Sequence, residues 1–194
     1  YDLAPHQLDL LQHYFGYIIE AKGYTVSEFD TAQAAADYLD KSIDGLSVGI
    51  GDSITVGSTA AIKDTFSDIS DDQIDARVSR PWAEGLEVAK KMQLNDIVVF
   101  ALGTNNTALS SSDIDQLISI VGKNRTIVLL TNHGPAGYET NNELFKEYAK
   151  QNSNIILADW DAEVSKDPSK YLASDDVHPT AEGAKLFAQL INDA

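Results

Sequence analysis

The chain has 194 residues, of which 43% are hydrophobic and 23% charged, a balance typical of a globular protein that is large enough to bury a core. No run approaches the roughly 18 apolar residues that a membrane-spanning helix needs. Fourteen basic against thirty acidic residues give a formal net charge of −16, which repels phosphate backbones and argues against nucleic acid as a partner. The absence of cysteine excludes disulfides and thiolate metal sites.

The first part of the chain predicts two helices. Apolar residues recur at helical spacing between Pro5 and Lys22, and Gly23 follows as a stop. An Ala-rich stretch from Thr31 to Ser42 begins behind Asp30, a residue type that caps helix N-termini. We interpret residues 1–44 as an N-terminal helical extension and residues 45–194 as the main domain.

From Leu46 onward, short β-branched runs alternate with helical stretches. The predicted strands are Leu46–Ile50, Ile74–Val78, Asp96–Leu102, Thr126–Thr131 and Asn154–Asp159. The predicted helices are Gly57–Thr65, Trp82–Met92, Asp113–Val121, Tyr138–Lys150 and a last helix after Pro179. This alternation predicts an α/β protein with three α/β/α layers around a flavodoxin-like, five-stranded parallel sheet.

Polar residues follow the predicted strands, at the sheet edge where ligands of such folds bind. Among them, Ser53 stands where a strand ends and a helix begins, so the helix field and its own N–H could assist a nucleophile. A serine hydroxyl also needs a base, a carboxylate that orients the base, and donors for the developing oxyanion. His178, Asp175 and the Asn105 amide offer these three partners.

Each of these residues also has an ordinary structural explanation. A Gly-Asp-Ser after a strand is commonly a turn with a helix cap, and an Asp three residues before a His is commonly a surface pair. Their joint occurrence at one predicted sheet edge favours a serine-dependent enzyme.

Three ordered sequence blocks carry a family resemblance. "IGDSITVGS", "VVFALGTNN" and "DDVHPT", within residues 50–180, resemble the blocks of the SGNH (GDSL-type) hydrolases. The resemblance implies Ser53 as nucleophile, Asn105 as oxyanion donor, and Asp175 with His178 as the rest of a catalytic triad. The family's second block normally supplies a glycine N–H to the oxyanion hole, and in "DARVSRPW" that position is Ser79.

Within that superfamily, the sequence is most similar to the extracellular domain of bacterial peptidoglycan O-acetyltransferases. "ALGTNN", "DARVSR" and "DDVHPTAEGAKLFA" carry this likeness. It implies transfer of an acetyl group through acetyl-Ser53 to a sugar hydroxyl of peptidoglycan, at the outer face of the bacterial membrane. It also implies a membrane acyltransferase part N-terminal to Tyr1, which would explain a chain that lacks an initiator Met.

Two other functions stay open at this stage. A carbohydrate or small-ester esterase would use the same triad, because water and a sugar alcohol attack the same acyl-enzyme. A non-catalytic wall-binding module would require a broken triad.

The loop after the fourth strand holds Asn132 and His133, which we interpret as possible substrate contacts; His-Gly-Pro is also ordinary turn chemistry. No His-Glu-x-x-His or comparable spacing occurs, so we expect no metal and no other cofactor. The expected partners are the glycan acceptor and an acetyl donor, and the domain is expected to be a monomer.

Overall fold

The computed structural model describes residues 46–106, 108–134 and 137–194, with side chains from Gly49 onward. The two predicted N-terminal helices lie outside the described residues. The described chain contains five parallel strands: β1 (Leu46–Gly51), β2 (Asp75–Ala76), β3 (Ile97–Ala101), β4 (Thr126–Leu130) and β5 (Ile155–Ala158). Their order in the sheet is β2-β1-β3-β4-β5, which confirms the predicted flavodoxin-like topology.

Seven α-helices connect or follow these strands in the described part of the chain. They are α1 (Ser53–Thr65), α2 (Trp82–Lys91), α3 (Ser111–Val121), α4 (Tyr138–Gln151), α5 (Trp160–Val164), α6 (Pro168–Tyr171) and α7 (Ala181–Asp193). The helices α5 and α6 were not predicted, since neither is long enough to show a helical repeat. A short 3-10 helix, Asp71–Gln73, was missed for the same reason.

Helices cover both faces of the sheet, because successive residues of each strand point to opposite sides. On β3, Val98 and Phe100 join one buried cluster with apolar residues of α2, α3 and α4. Val99 and Ala101 join the other cluster, with residues of α1, α5 and α7. The three predicted layers are therefore present, with a core on each side of the sheet.

The edge strand β2 is much shorter than the predicted Ile74–Val78. Only Asp75 and Ala76 pair with β1, and Val78 is 59% exposed. Val78, a β-branched residue, belongs to the predicted strand, but in the structure it lies in the turn that follows β2. The prediction of a full second strand was wrong because propensity cannot show where an edge strand stops pairing.

The first helix begins earlier than the predicted Gly57. Asp52 caps it, since the carboxylate Oδ1 accepts a hydrogen bond of 3.0 Å from Ile54 N. Gly57 lies inside the helix at the point of close approach to the loop before α7, where an added Cβ would lie 3.4 Å from Pro179 Cγ. Ser53 therefore occupies the first turn of α1, directly behind the end of β1.

Candidate active site

Three side chains form a continuous hydrogen-bonded relay at the carboxyl edge of the sheet. His178 Nε2 lies 2.9 Å from Ser53 Oγ, and His178 Nδ1 lies 2.7 Å from Asp175 Oδ2. The serine comes from the start of α1 and the other two residues from the loop before α7. This is the geometry in which a carboxylate orients a histidine and the histidine takes the proton of a serine hydroxyl.

The loop that carries Asp175 and His178 is closed by main-chain contacts. Leu172 and Pro179 form an antiparallel bridge at its base, and Ala173 N donates to His178 O at 2.8 Å. At the tip, Asp176 adopts a positive φ of 54°, a conformation that Asp tolerates in turns. These contacts allow two residues that are three apart in sequence to face each other.

The Asp175 carboxylate is organised by its own loop. Its Oδ1 accepts main-chain hydrogen bonds from His178 N at 3.0 Å and Val177 N at 3.1 Å, while Oδ2 binds the His178 ring. The donated bonds, those from His178 first, lower the pKa of Asp175 to about 2. The carboxylate therefore stays ionised over the whole range in which a histidine can act as a base.

The loop after β2 brings Ser79 to this edge in a conformation that usually requires glycine. Ser79 has a φ of 57°, in the left-handed region. Serine thus takes up the backbone angle expected of the family's glycine. The next residue, Arg80, fixes the loop: its buried guanidinium binds the carboxylate and main-chain oxygen of Asp75 and lies 3.4 Å from Gly51 O.

The Asn105 amide lies between the nucleophile loop and the Ser79 loop. Its Nδ2 donates to Asp52 Oδ2 at 3.1 Å and lies 3.4 Å from Arg80 O. The first contact has ordinary hydrogen-bond length and the second is long. One amide hydrogen is therefore held firmly, and the other is only weakly engaged and can be donated elsewhere.

Two further asparagines hold the loop that carries Asn105. Asn106 Oδ1 accepts from Trp82 N at 2.8 Å, which ties the loop to the start of α2. The buried Asn141 of α4 donates to Gly103 O and Asn106 O, and its Oδ1 accepts from Leu109 N. Sequence reasoning missed both roles, because neither residue type nor spacing distinguishes a buried amide clamp from a surface asparagine.

Asp52 is the buried acid of the site. It is 1% exposed, and burial raises its pKa to about 6, although hydrogen bonds from Ile54 N and the Asn105 amide and the charge of His178 oppose that shift. The sequence places an acidic residue directly before Ser53, but it gave no sign that the carboxyl supports Asn105. One buried group thus caps α1 and also orients the amide.

The raised pKa of Asp52 predicts a pH-dependent stability. Between pH 4 and pH 6 the folded state binds the Asp52 proton more tightly than the unfolded state, because the folded pKa is about 6 and the pKa of an ordinary Asp is 3.8. This contribution to the free energy of unfolding is present at low pH and is lost as the pH rises through 6, by up to about 3 kcal/mol. Denaturant unfolding of wild type and Asp52→Asn across this range measures it.

Asp52→Asn removes the titrating group and keeps an oxygen that can cap α1. The two proteins are therefore compared by how their free energy of unfolding changes with pH, and not by its absolute value. Wild type is expected to lose unfolding free energy relative to the variant as the pH rises. Asp175, whose pKa is lowered to about 2, titrates below the range from pH 4 to pH 6. Parallel curves for the two proteins would contradict a raised pKa at Asp52.

His133 and Asn132, the two possible substrate contacts, have different surroundings. His133 is partly exposed, and its Nδ1 lies 2.6 Å from Asp161 Oδ1. Asn132 is buried, its Nδ2 donates to Leu102 O at 3.2 Å, and its main-chain N donates to Asn142 Oδ1 at 2.7 Å. Of the two residues, only His133 presents side-chain surface to a ligand.

Comparisons with known proteins identify relatives of this chain. No family model matches the chain. A Staphylococcus aureus (strain MSSA476) protein named "Putative O-acetyltransferase" is 34% identical over 140 residues, which are 69% of this chain and 22% of the relative. The "Peptidoglycan O-acetyltransferase OatA" of Listeria monocytogenes is 28% identical over 155 residues, 78% of this chain and 24% of the relative. The chain therefore spans about a fifth to a quarter of the length of the curated relatives it matches.

Solved structures settle the fold. The C-terminal catalytic domain of Streptococcus pneumoniae peptidoglycan O-acetyltransferase A, solved with a methylsulfonyl adduct, superposes with a TM-score of 0.68 at 25% identity and covers 79% of this chain and 93% of that chain. A GDSL-like lipase from Bacteroides thetaiotaomicron covers 83% of this chain and 94% of that chain, with a TM-score of 0.59 at 19% identity. The chain has the SGNH-hydrolase fold. The predicted resemblance to SGNH hydrolases and to O-acetyltransferases is confirmed.

Proposed function

We propose that this SGNH domain is a serine-dependent O-acetyltransferase that acetylates a sugar hydroxyl of peptidoglycan. The observation that carries the proposal is the Ser53–His178–Asp175 relay, with hydrogen-bond distances of 2.9 Å and 2.7 Å. The similarity to named O-acetyltransferases supports the choice of acetyl transfer over other acyl chemistry. An intact relay gives no support to a non-catalytic wall-binding module.

In the first half of the reaction, Ser53 Oγ attacks the acetyl carbonyl of the donor. His178 Nε2 takes the serine proton and then gives it to the leaving alcohol, which leaves acetyl-Ser53. Asp175 holds the ring in the tautomer that this proton transfer needs and stabilises the imidazolium. Ionised Asp52, whose charge acts on His178, adds to that stabilisation.

The oxyanion that forms needs donors, and we propose that it accepts three hydrogen bonds. We assign them to the main-chain N–H groups of Ser53 and Ser79 and to the weakly engaged amide hydrogen of Asn105. Ser53 N lies in the first turn of α1, where main-chain N–H groups have no intrahelical acceptor and the helix field favours negative charge.

In the second half, a sugar hydroxyl replaces the donor alcohol. The hydroxyl gives its proton to His178 as its oxygen attacks acetyl-Ser53, and Ser53 Oγ leaves with that proton. Nothing in the relay itself discriminates the sugar from water, because the His178 side chain is 46% exposed. Ester hydrolysis is therefore the second candidate function, and acceptor binding decides between the two.

One experiment separates transfer from hydrolysis. Wild-type protein is incubated with an activated aryl acetate, with and without chito-oligosaccharide acceptors, and products are followed by mass spectrometry. A transferase is expected to yield acetylated oligosaccharide that grows with acceptor concentration at the expense of free acetate. Free acetate alone at every acceptor concentration would identify an esterase.

The cellular setting is part of the same proposal. We propose that the domain acts at the outer face of the membrane and receives acetyl groups through a membrane acyltransferase part of a longer protein. The greater length of the relatives supports this arrangement. Within the described residues, no helix has the length and apolar character to cross a bilayer.

A further inference from the structure

A second histidine–carboxylate pair lies beside the triad, at the ends of β4 and β5. His133 Nδ1 and Asp161 Oδ1 are 2.6 Å apart. Asp161 is itself fixed, since its main-chain N donates to Thr131 Oγ1 at 2.8 Å and Asn142 Nδ2 lies 3.4 Å from its Oδ2. The carboxylate therefore sets the orientation of the His133 ring.

This pairing determines which ring nitrogen remains available to accept a hydrogen bond. A carboxylate accepts a hydrogen from Nδ1, so in the neutral ring Nε2 carries the lone pair. The Asp161 carboxylate already occupies Nδ1, whereas Nε2 makes no hydrogen bond with the described residues. The side chain is 15% exposed, and its ring lies 5.6 Å from that of Tyr138. A held ring with a free acceptor nitrogen differs from a core histidine, whose two nitrogens are both bonded.

Gly134, the residue after His133, lies close to the loop that carries His178 and to the loop that carries Asn105. A Cβ built on Gly134 would lie 3.3 Å from Val177 Cγ2 and 4.0 Å from Thr104 Cγ2. Val177 directly precedes the histidine of the relay, and Thr104 directly precedes Asn105. The His133 loop thus borders the cleft in which an acceptor must approach acetyl-Ser53.

We propose that His133 binds the glycan acceptor, with Nε2 accepting a hydrogen bond from a sugar hydroxyl that is not the one acetylated. The inference rests on the proposed transferase function. The lone pair on Nε2 and the charge of Asp161 favour a neutral hydroxyl over a carboxylate as ligand. Asp161 acts as a positioning residue, because it touches the ring and not the sugar. The chemistry stays with His178, whose Nε2 lies 2.9 Å from Ser53 Oγ.

The test measures the fraction of acetyl-enzyme that transfers its acetyl group to a sugar and the fraction that is hydrolysed by water. Wild type, His133→Ala, His133→Gln and Asp161→Asn are given an aryl acetate and a series of chito-oligosaccharide concentrations. His133→Ala is expected to lower the ratio of acetylated sugar to free acetate by about 3- to 10-fold, the equivalent of one hydrogen bond. The loss should appear in the KM for the acceptor more than in kcat. His133→Gln keeps a hydrogen-bonding end group and should recover part of the ratio.

Asp161→Asn is expected to lower the ratio less than His133→Ala, because the ring stays present but loses its fixed orientation. Asp115→Asn makes the same change at an exposed carboxyl on α3, which contacts Tyr148 and not the cleft, and should leave the ratio unchanged. The free acetate formed without enzyme is subtracted first, so that the ratio reports only the acetyl-enzyme of the folded protein.

The outcomes separate this inference from the proposed function. Transfer by wild type with an unchanged ratio in His133→Ala would overturn the role of His133 and leave the transferase standing. Absence of transfer by wild type at every acceptor concentration would overturn both. A ratio that falls equally in Asp115→Asn would show a general effect of substitution and would also overturn the inference.

Discussion

Ser53→Ala and His178→Ala are each expected to lower the hydrolysis of an activated acetyl ester by a factor on the order of 10⁶. The two side chains act as one unit, because His178 Nε2 lies 2.9 Å from Ser53 Oγ and either residue alone lacks a partner for proton transfer. Asp175→Ala should cost less, on the order of 10⁴, since the histidine remains beside the serine. Release of the aryl alcohol from purified, folded protein measures all three rates.

A sulfonyl fluoride gives an independent readout of the same pair. An activated serine displaces fluoride and forms a sulfonyl ester, so wild type should gain one sulfonyl group, located at Ser53 by peptide mass spectrometry. Labelling should be absent in Ser53→Ala and much slower in His178→Ala. Ser58→Ala is the matched control: Ser58 is buried in α1, one helical turn or more from Ser53, and its replacement should leave labelling in place. Turnover by Ser53→Ala near the wild-type rate would contradict a covalent mechanism.

The relay could be predicted from sequence because the fold supplies its long-range part. In a parallel sheet with this strand order, the residues after β1 and β3 must meet at one edge, whatever the side chains do. For the side chains of Asp175 and His178 to contact each other, only a loop that turns back on itself is required, and their spacing of three residues permits such a loop. The sequence could not show how that loop is closed, since the Leu172–Pro179 bridge depends on main-chain contacts.

The supporting contacts were less visible for a physical reason. The role of Asp52 depends on its burial, and a pattern of residue types carries no measure of how much water a carboxyl retains. The pair of His133 and Asp161 was within reach, because β4 and β5 are neighbours and both residues follow their strands closely. What the sequence lacked was the burial of each side chain: Asn132 is buried, whereas the His133 side chain keeps 15% of its surface exposed.

Asn105→Ala is expected to lower the acylation rate by about 10²- to 10³-fold, the usual effect of removing one oxyanion donor. The geometry explains why this amide should matter. Asp52 Oδ2 holds one hydrogen of Nδ2 at 3.1 Å, which fixes the direction of the other. That second hydrogen faces Arg80 O across 3.4 Å, too far for a strong bond, so an oxyanion beside the Ser53 and Ser79 N–H groups can compete for it.

The adjacent asparagine provides the matched control. Asn106→Ala removes the bond of 2.8 Å to Trp82 N and so should lower thermal stability, while the folded fraction keeps an intact amide at Asn105. Pre-steady-state acylation with an aryl acetate, alongside thermal unfolding, distinguishes the two residues. Asn105→Ala should show the reverse pattern, a slow burst with a small change in melting temperature, because its side chain is exposed and its loop is held by Asn106 and Asn141. A collapse in stability with a full rate in the surviving enzyme would make Asn105 a structural loop residue, and the oxyanion would then have only main-chain donors.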